Sequence, residues 1–198
     1  MENAKTLTPR NFLRLSAFSP EEANAKYPNA RRLTLGGLFV SHSGIDSRRI
    51  DDDIITPIVF RRLPADGFFM YSRGSGGESY RELVQAALHW CDKFMVVISE
   101  ASIINEWVQA EVEWALKRSR PVLAVRFGAC DWNDLVHMLR LPFKVKLRLK
   151  LKLYQVPCFD FSGDLKLAQK ELAAALDDLL AKFPRQEEMF KPRHPSAP

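Results

Sequence analysis

Residues 93–127 read KFMVVISEASIINEWVQAEVEWALKRSRPVLAVRF, and this stretch decides the fold. KFMVVIS (93–99) is an apolar run of strand length that ends on a small polar residue. Its apolar residues do not alternate with polar ones, so it reads as a strand covered on both faces. PVLAVRF (121–127) repeats the pattern. Between the two, NEWVQAEVEWALKR (105–118) carries Trp107, Val108, Val112, Trp114 and Ala115 on one face when plotted at about 100° per residue. A strand, a helix and a second strand in so short a stretch form a βαβ unit, whose strands must run parallel.

Working outward, the same alternation continues. LGGLFVSHS (35–43) predicts a buried strand, and residues 46–63 a helix broken or restarted at Pro57. GFFMYS (67–72) predicts another strand, followed by the loop SRGSGGES and a helix over about 79–92. Downstream, Asp131 opens a short helix over 131–139, and YQVPCFDFS (154–162) ends a fifth strand. The last helix, about 164–183, carries Leu165, Ala168, Leu172, Leu176, Leu179 and Phe183 on one stripe. Five apolar strands alternating with helices call for an α/β fold with a mainly parallel sheet and helices on both faces. Right-handed crossovers favour the flavodoxin-like strand order 2-1-3-4-5. Its ligand crevice lies at the carboxyl ends of strands one and three, where Ser41, His42, Ser43 and Ser99 stand.

Composition fits one domain with a full core: 198 residues, 46% of them hydrophobic. The predicted organisation is an extension over 1–34, the domain over 35–183 and a disordered tail over 184–198. The first 33 residues read as irregular, with one helical turn opened by Ser19-Pro20-Glu21-Glu22. A formal charge of +5 and a pI near 9.2 suit an anionic small molecule without selecting it. No apolar run approaches the roughly 20 residues that span a bilayer, and the polar N-terminus lacks a signal-peptide core. Cys91, Cys130 and Cys158, odd in number and set among apolar neighbours, read as reduced, buried thiols of a cytoplasmic protein. The four histidines lack metal-ligand spacing, so no metal is expected.

Glu111 is the residue that breaks the pattern. It falls inside the apolar face of its helix, one turn after Trp107, whereas Glu106, Gln109, Glu113 and Lys117 gather on the face assigned to solvent. A carboxylate among indoles and β-branched chains loses hydration, which raises its pKa unless a partner sits opposite. Such carboxylates are over-represented at functional sites. On the helix alone, the simpler reading is a glutamate that reaches out to solvent or pairs with an arginine of a neighbouring element.

Other motifs carry less. Gly74-Ser75-Gly76-Gly77, beside Arg73, sits where backbone amides could hold a phosphate, but no Gly-Lys-Ser/Thr follows and the dinucleotide fingerprint is incomplete. Ser41 and His42 are neighbours on a strand and point to opposite faces, and no nucleophile elbow is present, so serine hydrolysis is rejected. Asp51-Asp52-Asp53 diverge around a helix and read as solvated. FKVKLRLKLKL (143–153) alternates strictly and reads as an edge strand protected by its lysines. A nucleic-acid surface there is the lesser reading, since no aromatics interleave the basic face.

GLFVSHSGID, GGESYRELVQAAL, FMVVIS and EWVQAEVEWAL, in that order, resemble the Toll/interleukin-receptor (TIR) domain over about 37–183. The short layout looks most like standalone bacterial TIR proteins of antiphage defence, including Thoeris-type systems. The resemblance puts Trp107 and Glu111 on the family's Trp-x-x-x-Glu, whose glutamate is catalytic. It implies cleavage of the nicotinamide–ribose bond of NAD+, giving nicotinamide and ADP-ribose or a cyclised or modified ADP-ribose signal. NAD+ is then a substrate, and no cofactor is implied. Ser41, His42, Ser43 and Ser99 would line the crevice, Trp107 would be a stacking wall, and Arg73, Gly74 and Gly77 would form a loop that closes on the dinucleotide or on a neighbouring subunit. Partners implied are further copies of the chain and an upstream sensor or downstream effector. Tyr71-Ser72-Arg73 departs from relatives that carry an aspartate after the second strand and a longer loop. The alternative is a non-catalytic module that uses the same surfaces only for TIR–TIR contacts.

Overall fold

A computed structural model of the chain describes residues 8–13, 22, 25–26, 36–64, 67–71, 80–140 and 156–184. Most of the predicted 1–34 extension, the 143–153 ribbon and nearly all of the 184–198 tail lie outside the described residues, as do Arg73, Gly74 and Gly77.

Five strands form one sheet: β1 (Leu38–Ser41), β2 (Phe68–Met70), β3 (Lys93–Ile98), β4 (Val122–Arg126) and β5 (Cys158–Asp160). Their order is β2-β1-β3-β4-β5, and every neighbouring pair is parallel, as the alternation of apolar runs and helices predicts. In the register, Phe39 pairs with both Phe69 and Phe94, and Ser41 with Val96. The three phenylalanines stack across the strands with ring centroids 5.6 Å apart. Such offset stacks add to the area they bury.

Strand alternation gives the sheet two apolar faces. Phe39, Phe69, Phe94, Val96, Ile98 and Ala124 point to one core, roofed by α3 (Tyr80–Trp90), α5 (Glu106–Lys117) and α6 (Trp132–Met138). Leu38, Val40, Met95, Val97, Leu123 and Val125 point to the other, roofed by α2 (Ser47–Ile50) and α7 (Leu165–Lys182). The short α4 (Glu100–Ile103) leads from β3 into α5, and α1 (Pro9–Phe12) lies against the outside of α5. The first 33 residues are therefore not irregular throughout. Among the described residues, no helix is long and apolar enough to cross a membrane.

Pro57 does not end its helix, contrary to the break predicted there. From α2 the chain runs directly into a π-helical stretch, Asp51–Val59, with Pro57 inside it. Proline lacks the N–H that an α-helix would offer to the Asp53 carbonyl. Gln169 of α7 supplies a donor instead, Nε2 to Asp53 O at 2.9 Å. Asp131 caps α6 as predicted, its carboxylate accepting the N–H groups of Asn133 and Asp134.

The thiols need correction. Cys91 is buried, but Cys130 is half-buried and Cys158 exposed. The reason lies in the sheet edge: β5 is the last strand, its central Phe159 faces the core, and the flanking Cys158 and Asp160 face outward.

Candidate functional site

Ser41 is the last residue of β1, on the face covered by α5. Its Oγ donates a hydrogen bond to Glu111 Oε2 at 2.6 Å. Asn105 caps α5 by accepting the N–H groups of Trp107 and Val108, and this fixes where the helix starts and so the direction in which Glu111 points. Glu111 is 7% exposed. It therefore neither snorkels to solvent nor pairs with an arginine, and its one protein partner among the described residues is a neutral hydroxyl. Burial raises its pKa from 4.5 to about 7, against the lowering effect of the Ser41 hydrogen bond. A shift of that size costs about 3 kcal/mol when the group is ionised. The neighbouring Val108 and Val112, fully buried, contribute about 1.5–3 kcal/mol each, so the helix tolerates the acid.

His42 turns to the other side of β1, as the strand period requires. Its Nε2 lies 3.0 Å from Ser47 Oγ and its Nδ1 3.3 Å from Val40 O. Burial lowers its pKa, with smaller opposing effects from the Val40 carbonyl and nearby aspartates, which favours the neutral ring. Ser41 and His42 are thus committed to different partners and do not form a nucleophile–base pair. Ser43 is buried, and its Oγ accepts the N–H of Ile45 at 3.5 Å.

Ser99 directly follows β3, accepts the Ser102 N–H as the cap of α4, and donates its hydroxyl to Asp46 Oδ2 at 2.6 Å. The bond ties the β1 loop to the β3 tip at the point where the winding of the sheet reverses. Asp46 and Ser47, bonded to the predicted residues Ser99 and His42, are candidate site residues that sequence reasoning missed. An aspartate just before a helix reads as a cap, yet Asp46 makes no side-chain cap bond. A cap-type residue aimed elsewhere has no signature in the sequence alone. Trp107 is half-buried against the core, with the Arg81 guanidinium 5.6 Å from its ring centroid.

The face of α5 assigned to solvent is corrected. Gln109 and Glu113 are 5% and 3% exposed, because Arg10 of α1 lies across them. Arg10 Nε and Nη2 bind the Glu113 carboxylate, and Nη2 also donates to Gln109 Oε1 at 3.1 Å. Nothing in the spacing of 105–118 announces that a second element will cover this side.

The arrangement is a carboxylic acid that titrates near neutrality, held at the tip of β1 and oriented by one hydroxyl. Neither histidine nor cysteine is bonded to it among the described residues. No group of three or more His, Cys, Asp or Glu side chains is placed to hold a metal among those residues. Such a site can place negative charge beside a developing cation, or exchange a proton, without a metal. No curated protein matches the chain. The model of one family, the TIR domain, matches residues 38–180. That match opens on the first residue of β1, closes inside α7 and takes in Ser41, Ser99 and Glu111, so the chain belongs to the TIR domain family.

Proposed function

We propose that this protein is an NAD+ nucleosidase that breaks the nicotinamide–ribose bond, with Glu111 as the catalytic carboxylate. The observation that carries the reading is the buried Glu111 at the end of β1, hydrogen-bonded only to Ser41 among the described residues. Nicotinamide leaves a positively charged pyridinium as a neutral base, so departure needs no strong acid. What needs stabilising is the positive charge that develops on the ribose, as in glycoside cleavage. A carboxylate in a dry niche does this far better than one in water. With a pKa of about 7, Glu111 is poised between its two forms in the free protein. The pyridinium charge of the bound substrate would favour the ionised form, so substrate itself would complete the catalyst.

Trp107 supplies a flat wall one turn away, and Ser99, His42 and Ser43 the polar rim. Arg73, Gly74 and Gly77 are assigned to a closing loop on the family resemblance alone. So is the setting: a cytoplasmic signal-producing enzyme of antiphage defence, similar to Thoeris-type proteins, activated by assembly with itself or with an upstream sensor. The product is then ADP-ribose or a cyclic or modified form of it.

The test is nicotinamide release from NAD+ by the assembled full-length chain, with products identified by mass spectrometry. Glu111→Gln should lower turnover by ~10²–10³-fold, the cost of removing one preorganised electrostatic group. Full activity in Glu111→Gln and Glu111→Ala would remove the glutamate from the mechanism. No turnover by the native chain even when assembly is enforced would favour the TIR–TIR module instead.

A further inference from the structure

The outer side of α5 holds a cavity of about 340 Å³, lined by Arg10, Leu13, Ala110, Glu113, Trp114, Lys117 and Arg118. That volume is larger than a simple ion needs and lies at the small end of the range for organic ligands, about 300–1,000 Å³. Its charge is one-sided. Arg10 is taken up by Glu113, whose carboxylate also accepts the Arg140 N–H at 2.7 Å. Lys117 stands off at 3.9 Å from Glu113, and Arg118 has no carboxylate partner among the described residues.

Trp114 lines this cavity and Arg120, which does not, lies 5.9 Å from the centroid of the indole ring; each carries an unmatched buried donor among the described residues. Trp114 is 6% exposed, and among the described residues its Nε1–H has no hydrogen-bond partner; nor has Arg120 Nε. Buried donors are almost always paired, so two unpaired ones in one place point to an acceptor that comes from elsewhere. The backbone is built to bring the cations there. After α5 the chain closes in a Schellman turn, with Ser119 N–H to Leu116 O and Arg120 N–H to Ala115 O. Ser119 takes the left-handed φ of 54° that glycine usually fills. As a result, both flanking arginines fold back on the indole, Arg118 at 4.1 Å and Arg120 at 5.9 Å from the Trp114 ring centroid. The other neighbour of the indole, His89, is half-buried with its pKa lowered, first by burial and further by Arg118 and Arg120, so it adds no charge.

We infer that this cavity binds a small organic phosphate. Its oxygens would accept from Trp114 Nε1, Lys117 Nζ and the Arg118 guanidinium, and its apolar body would rest on Leu13 and Ala110. Phosphate fits better than a carboxylate: it carries the larger charge, and guanidinium forks match its oxygens two at a time. The site is separate from the Glu111 crevice, since residues 111 and 113 project from opposite sides of one helix, and it does not depend on the NAD+ reading.

Calorimetric titration of the full chain with phenyl phosphate tests it, with benzoate, phenol and inorganic phosphate as comparison probes. Phenyl phosphate should bind one to one and most tightly, and phenol should give no heat. Lys117→Ala with Arg118→Ala should weaken phenyl phosphate at least tenfold; both side chains are exposed, and a thermal melt verifies the fold. Trp114→Phe, which keeps the ring and removes the donor, should weaken it several-fold, while Glu111→Gln should leave the affinity unchanged. The inference is overturned by an absence of phosphate binding, by equal affinity in the lysine–arginine double variant, or by loss of binding in Glu111→Gln.

Discussion

Glu111 and Glu113 stand two residues apart on α5, are 7% and 3% exposed, and live in opposite chemical worlds. Glu113, the more buried, is saturated: Arg10 grips both its oxygens at 2.9–3.2 Å and the Arg140 N–H adds a bond at 2.7 Å. Glu111 has the Ser41 hydroxyl at 2.6 Å on Oε2, and no hydrogen bond to Oε1 among the described residues. Depth of burial therefore does not separate a saturated acid from one with bonding capacity to spare. Compensation does. A carboxylate locked to a guanidinium has its charge and its lone pairs spent, whereas one held by a single neutral donor keeps an oxygen and a proton equilibrium for use.

Breaking the saturated side should have the largest effect. Glu113→Ala leaves the Arg10 guanidinium, 16% exposed, without its counter-ion. Truncating one partner of a buried pair costs about 3–5 kcal/mol. Urea denaturation should show a loss of that order. Replacing both partners, Arg10→Met with Glu113→Leu, should recover most of it, because the apolar pair carries no desolvation penalty. A loss below about 1 kcal/mol in Glu113→Ala would mean that α1 does not hold its place on α5 in solution.

The uncompensated side sharpens the contrast through pH. Below about pH 4.5 Glu111 is protonated in both the folded and the unfolded chain, and its burial carries no charge penalty. Between 4.5 and about 7 the unfolded chain gives up this proton while the folded chain keeps it, so stability falls as pH rises. The fall is complete above about 7 and amounts to about 3 kcal/mol. Glu111→Gln, which cannot ionise, should match the native chain near pH 4 and exceed it by up to about 3 kcal/mol near pH 8.5. A gap that stays constant across this range would show that Glu111 does not titrate differently in the two states. The substitution that stabilises at high pH should also lower the proposed turnover by ~10²–10³-fold, the usual relation between a functional group held at a cost and its scaffold.

Sequence patterning reads one side of this comparison and not the other. Strand order, parallel pairing and both cores follow from apolar runs alternating with helices, because a strand covered on two faces leaves an unbroken run. Glu111 is visible because it interrupts a helical stripe that Trp107, Val108 and Val112 define. Glu113 is invisible because its partner, Arg10, is 103 residues away, and α5 shows a polar outer side whether solvent or another helix lies against it. Asp46 is hidden for a related reason: the residue type suits a cap, and only the tertiary approach of Ser99 diverts it. Pro57 misleads because the rule against proline assumes α-helical bonding, which the π-helical stretch and Gln169 replace.

The finest test concerns the single bond to Glu111. Ser41→Ala removes the hydroxyl that lowers the acid's pKa and leaves burial, which raises it, unopposed. The pKa should therefore climb further above its value of about 7. For the proposed NAD+ cleavage, the ascending limb of the pH–rate profile should move to higher pH, with the plateau less reduced than in Glu111→Gln. Stability should respond unequally too: about 1 kcal/mol is lost near pH 5, where the bond joins neutral groups, and about 1.5–3 kcal/mol near pH 8.5, where it holds an anion. An unmoved limb together with equal losses at both pH values would mean that the hydroxyl positions the side chain without tuning its charge. The difference between Glu111 and Glu113 would then reduce to the presence or absence of Arg10.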